Sequence, residues 1–345
     1  MDNKNHTVYI DYLNVAACIA VIALHCNGCF WVFSDTARYW KTSVIIEHVF
    51  YWAVPIFFMI MGCTLLDFDK KYDVKTFFKK RFNRTVIPFL VWSVIAIVFY
   101  NKETLFNDIS LSWIIDQIIN TKAMGVYWFF IPCFAVYLSI PVINAIDEHR
   151  RTQIYTYAVI FAFITISLLP CVFNLLKWQY NYRFTTLISG GYLIYVLLGY
   201  LLENSYKLNK KQRLFIYGLG IAGLLLRMIP TYYWSLEDGK INSVMGGYTN
   251  FSTVLYSVAV FTFFKYEISN WQLLKQIYPL IKKLSAYSLG VYLIHMHFVI
   301  NLPHILKIAN TSIYWRTLGV IAVYVCCLAV VYVLKNIPVV SKIVP

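Results

Sequence analysis

Charge is scarce in this sequence. Of 345 residues only 13% are Asp, Glu, Lys or Arg, against about 25% in an ordinary soluble chain. That scarcity excludes a solvated globular surface of normal make-up. There is no internal repeat, which argues against the two related halves of many transporters. No Gly/Ser linker, low-complexity tract or soluble domain interrupts the chain, and no cleavable signal is expected at its start. Eight cysteines are present, but Cys26 and Cys29 form a lone C-x-x-C. No second pair or His pair completes a zinc site, so no metal is expected. The other six, Cys18, Cys63, Cys133, Cys171, Cys326 and Cys327, lie in apolar segments and read as small buried hydrophobes.

Apolar residues fill the space that charge leaves. They make up 60% of the chain, and aromatics alone 18%. A soluble domain so composed would expose more than the few hundred Å² of contiguous apolar surface that monomers tolerate. The formal net charge is +14. A nucleic-acid binder gathers its cations on one soluble face, whereas these lie between apolar runs. No nucleic-acid partner is expected. The charge fits loops set by the positive-inside rule, with attraction to anionic lipid or an anionic cofactor.

A hydrocarbon core of about 30 Å needs about 20 apolar residues in a helix. Segments of that kind fall at 8–29, 43–66, 85–100, 125–146, 153–173, 185–204, 214–230, 248–264, 285–306 and 317–334. The expectation is an all-α transmembrane bundle of about ten helices, one membrane domain over 1–345, in the cell membrane with the lipid bilayer around it. Basic residues alternate between the loops. Lys70, Lys71, Lys75, Lys79, Lys80, Arg81 and Arg84 lie in one polar loop, and Lys207, Lys210, Lys211 and Arg213 in another. The intervening loops are poorer, with Lys102 and Lys122, or Lys177 and Arg183. Lys/Arg-rich loops face the cytoplasm, so both termini are expected there.

Several polar groups sit at membrane depth. His25 lies about 25 Å along the first span at 1.5 Å per residue. Burial away from water favours the neutral imidazole, and a neutral imidazole can take a proton from a hydroxyl. Asn14 precedes it by eleven residues, close to three turns, and so shares its face; Asp11 lies near the same stripe. Arg81 and Arg84, spaced i, i+3, suit an anionic ligand at a cytoplasmic mouth. His295 and His297 are two apart and point to different faces, which does not suit one metal. The glycines 190, 191 and 199 read as a smooth helix-packing face.

Together, several segments resemble the acyltransferase-3 family of integral membrane acyltransferases. YIDYLN at 9–14 running to His25 resembles its first-helix motif. VPIFFMIMG at 54–62 and FFKKRFNR at 77–84, followed by IPFLVW at 87–92, resemble its second-helix motif and R-x-x-R loop. YWFF at 127–130, GGYL at 190–193 with LGY at 198–200, and LGVYLIH at 289–295 resemble later patterns. The family has Arg where Asn14 stands and Ser where Met61 stands. The resemblance implies an O-acyltransferase of the stand-alone O-acetyltransferase-like type. It would move an acyl group, commonly acetyl, from cytoplasmic acyl-CoA to a hydroxyl of a surface glycan, lipid or small molecule. His25 would then be catalytic, and Arg81, Arg84 and Asn14 would hold the donor. Trp128, Tyr292 and His295 are candidates to support the oxyanion. The alternative is a transporter or flippase for a surface glycan or lipid, whose polar stripe would line a path.

Overall fold

The computed structural model describes residues 3–100, 110–182 and 191–344. Among them there is helix and no strand. The helices are α1 (Asn3–Cys26), α2 (Arg38–Phe50), α3 (Ala53–Leu65), α4 (Val74–Arg81), α5 (Ile87–Tyr100), α6 (Leu111–Ile119), α7 (Phe130–Asn144), α8 (Glu148–Ala162), α9 (Leu169–Leu175), α10 (Leu193–Tyr200), α11 (Lys210–Asp238), α12 (Phe251–Tyr266), α13 (Gln272–Leu306) and α14 (Ile313–Lys335). Eight continuous helical stretches are long and apolar enough to cross a membrane. The protein is therefore a polytopic membrane protein. Of the other two expected spans, 248–264 is the 16-residue α12, and the described part of 185–204 is helical over Leu193–Ser205, residues 185–190 lying outside the described residues.

The long apolar segments are broken in ways that length alone does not foresee. The expected helix at 43–66 lies within one 33-residue stretch, Arg38–Lys70, in which a turn at Tyr51 and Trp52 interrupts the regular pattern between α2 and α3. The basic stretch at 67–84 is largely helical rather than a loop. Asp73 caps α4 by accepting from the Thr76 amide at 3.0 Å, which satisfies one of the free donors of the first turn. A π turn, Phe82–Val86, then joins α4 to α5 in one 27-residue stretch. Likewise α13 begins at Gln272, so Lys275, Lys282 and Lys283 lie on a helix and not in a loop.

Two packings place the interior. In the first, α3 lies hard against α10. A Cβ at Gly62 would come 1.9 Å from the Val196 carbonyl oxygen, and one at Gly199 would come 2.1 Å from that of Met59. Only glycine allows this approach. Gly199 thus serves packing; Gly191 instead has φ +56° and forms a turn, and Gly190 lies outside the described residues. In the second packing, α1 lies beside α13. Asp11 Oδ2 accepts from the Tyr278 hydroxyl at 3.0 Å, and Asn14 Nδ2 donates to Ser285 Oγ at 3.0 Å and its carbonyl at 3.1 Å. Cys18 Sγ lies 3.7 Å from the Ser288 carbonyl. The partners stay 267 to 271 residues apart along both helices, so α1 and α13 run parallel.

Candidate active site

That parallel register decides what His25 meets. One more step along it brings the His25 ring to the His295 ring, with centroids 5.2 Å apart and planes at 42°. Asn14 and His25 both face α13, as the three-turn spacing predicts. His297 turns the other way: its Nδ1 lies 2.9 Å from the Tyr100 hydroxyl and its ring stacks on Tyr100. All eight cysteines are free. Among the described residues no three His, Cys, Asp or Glu gather as a metal site would need.

Three cavities follow one another along α1. The first, of 220 Å³, has Asn14, Met61, Thr85, Tyr137, Ser285 and Tyr292 in its wall. The second, of 240 Å³, is walled by His25, Glu47, Tyr51, Trp128, Tyr248 and Tyr292. The third, of 380 Å³, includes His25, Cys26, His304, Asn310, Thr311 and Trp315. Tyr292 borders the first and second, and His25 the second and third. Asn14 and His25 stand about 16 Å apart on the helix axis.

The two arginines occupy different environments. Arg81 ends α4, is half-buried, and lies 5.8 Å from the ring centres of both Phe77 and Tyr137. Tyr137 also borders the Asn14 cavity, where its hydroxyl lies 3.4 Å from Thr85 Oγ1. Arg84 sits in the π turn and is exposed. The i, i+3 expectation of one shared face assumes α geometry, which the π turn interrupts. Arg84 is close enough to Lys335 for their charges to repel. Lys335 in turn donates to the Ala286 carbonyl at 2.8 Å, beside the Asn14 cavity. Lys335 is the last residue of α14, which carries it to this edge of the cavity.

The three supporting candidates also differ. The Tyr292 hydroxyl already donates to the Val126 carbonyl. His295 is fully buried, and its Nδ1 lies 2.6 Å from the Tyr292 carbonyl. A carbonyl only accepts, so Nδ1 carries the hydrogen and the neutral ring has no proton on Nε2 to offer. Trp128 borders the His25 cavity and stacks on Tyr248 at 5.6 Å. Among the described residues no hydrogen bond engages its indole N–H.

Sequence reading did not single out Glu47. It is 4% exposed, and its Oε2 has no hydrogen-bond partner. It borders the His25 cavity from α2. Arg227, from α11, lies over the Tyr51 ring at 3.2 Å on the same side of the bundle. The signal was available: Glu47 is the one acidic residue in an otherwise apolar segment at 43–66, and such a charge at membrane depth marks a functional candidate.

Fold and cavities define a helical membrane protein with a titratable site inside its bundle. The family model described as an acyltransferase domain matches residues 7–333, and the chain belongs to that family, the acyltransferase-3 family. It is an acyltransferase. Comparison with curated proteins and with solved structures returned no match.

Proposed function

We propose that this acyltransferase takes an acyl group, acetyl in the simplest case, from cytoplasmic acyl-CoA and transfers it to a hydroxyl of a surface glycan or related acceptor. The observation that carries this reading is the series of cavities that share Tyr292 and then His25. Arg81 and Arg84 would hold the donor phosphates at the mouth, where Arg offers bidentate contacts. Asn14, Thr85 and Ser285 give the Asn14 cavity polar edges within otherwise apolar walls. That mixture suits an extended arm carrying amides and a thioester. The acceptor would occupy the second cavity. Its aromatic walls fit the apolar faces of a sugar ring, and Glu47 Oε2, which has no partner among the described residues, can accept from a ligand hydroxyl.

The reaction would run at His25. The acceptor oxygen attacks the thioester carbon while its proton passes to the His25 imidazole. The C–S bond breaks, the donor leaves as thiolate, and the proton on His25 returns to it. The transient oxyanion needs a donor, and the Trp128 indole N–H at this cavity would supply one. His25 as the acyl carrier itself is a variant of the same scheme. We take the membrane unit as one domain over 1–345 with both termini cytoplasmic. Support comes from the basic stretch at 67–84, where seven Lys/Arg outweigh three Asp.

The purified protein in detergent should consume acetyl-CoA above a protein-free control. No consumption of any acyl-CoA would remove the donor assignment. Orientation has its own test: a Cys at Lys75, with native cysteines controlled, should resist an impermeant thiol reagent in intact cells. Ready labelling from outside would reverse the topology.

A further inference from the structure

We propose that His295 is a positioning residue for His25: its Nε2 lone pair receives the N–H of the His25 imidazolium that forms during acyl transfer. The inference rests on His25 acting as the base.

The argument begins with the tautomer. Nδ1 of His295 is 2.6 Å from the Tyr292 carbonyl and must donate to it. Nε2 is then an acceptor only. It is buried and has no hydrogen-bond partner among the described residues, in a ring with no solvent exposure. Buried polar atoms are nearly always satisfied, so an orphaned lone pair in the bundle interior calls for a visitor. None of the three cavities along α1 has His295 in its wall. Its titratable neighbour on that side is His25, whose ring lies 5.2 Å away. Imidazole rings at that separation bring facing nitrogens to about 3 Å when they turn toward each other, a hydrogen-bonding distance. The bond is not made at rest; bonds of this kind often tighten only in the reacting complex.

The chemistry supplies the moment at which it matters most: the N–H on the nitrogen away from the substrate is present in neutral His25 and becomes a stronger donor in the imidazolium. When His25 takes the acceptor proton, both of its ring nitrogens carry hydrogen. One faces the substrate. The other needs an acceptor where the interior holds no bulk water. His295 provides that acceptor and neither gains nor loses a proton itself. Its place is fixed by the Asn14–Ser285 and Asp11–Tyr278 bonds, which lock the register of α1 on α13. The Tyr292 carbonyl fixes its tautomer, as a second partner fixes a catalytic or metal-bound imidazole.

The test is acetyl-CoA turnover by the full-length protein in detergent, with water or a hydroxyl as acceptor. His295→Phe keeps an aromatic ring and removes the acceptor atom; His295→Leu replaces it if the Phe protein does not fold. His295→Gln keeps an acceptor. We expect the apolar variant to lower kcat about tenfold or more with the donor KM unchanged, and Gln to return kcat to within about threefold of wild type. In a His25→Ala background the apolar variant should add nothing. An apolar variant with wild-type kcat, a Gln variant no better than the apolar one, or losses that multiply in the double variant would each overturn the proposal. His25→Ala separates the two layers. If it keeps full turnover, the base assignment itself fails. If it loses turnover while the apolar His295 variant does not, only the positioning role fails.

Discussion

The cavities at the two levels of α1 have similar volumes, 220 and 240 Å³, and different walls. Around Asn14 the wall is mainly apolar in surface, from Phe57, Phe129, Phe130, Ile60, Met61 and Leu289, and carries the hydroxyls of Thr85, Tyr137, Ser285, Ser288 and Tyr292. Around His25 it carries an imidazole, a buried carboxylate and stacked aromatics. An apolar sleeve can hold a reactive arm without reacting with it. A polar chamber costs more to build, because buried polar groups are expensive unless they have partners. The unpaired Glu47 atom in the chamber wall and the unpaired His295 atom beside His25 are such costs. The contrast supports the proposed division of labour, in which one level would bind and guide and the other react.

The largest effect should come from the chamber. His25→Ala is expected to fold and insert and to lose acyl transfer by about 10²–10⁴-fold, the usual span for a general base, with little change in donor KM. A raised donor KM at full kcat would erase the distinction between the levels. Next comes the mouth of the sleeve. Arg81→Ala with Arg84→Ala should raise the donor KM about tenfold or more, since charge-assisted contacts are each worth about 1.5–3 kcal/mol. Lys at both positions should restore binding only in part, lacking the planar fork. Unchanged KM with poorer folding would make the arginines structural.

A smaller and more informative change lies inside the sleeve. Asn14→Arg keeps a donor toward Ser285 and adds a cation at the cavity wall. It should be tolerated and should lower the donor KM. If the protein fails to insert, the membrane-depth cost of about 2.5–3.5 kcal/mol has won, and the sleeve is not open to an anionic donor. The smallest effect is expected at the α4 cap. Hydrogen bonds from Thr76 hold the Asp73 carboxyl below its usual value. A depressed folded value means that the cap stabilises at neutral pH and that this contribution is lost as pH falls through that value. Asp73→Ala should therefore lower Tm slightly at pH 7, and the gap to wild type should close in acid. A gap that widens in acid would have the wrong sign.

Much of this was legible in the sequence. Long apolar runs fixed helices, and the three-turn spacing put Asn14 and His25 on one face. A single helix's period cannot say which distant helix that face meets, so the His25–His295 contact, 270 residues apart in sequence, was out of reach. Hydrogen-bond commitments were equally hidden: Tyr292 reads as a free hydroxyl until Val126 is seen beside it. Glu47 was obscured by the apolar run around it, and the π turn at 82–86 by residues that suit an α-helix.

The central claim is that donor and acceptor occupy different levels of α1. It is tested most directly by filling each cavity in turn and measuring both substrates. Met61→Trp fills the wall beside Asn14, and Leu24→Trp the wall beside His25. The account predicts that Met61→Trp raises the donor KM, whereas Leu24→Trp leaves donor KM near wild type and suppresses transfer to the acceptor. A raised donor KM in Leu24→Trp, with Met61→Trp unaffected, would contradict it.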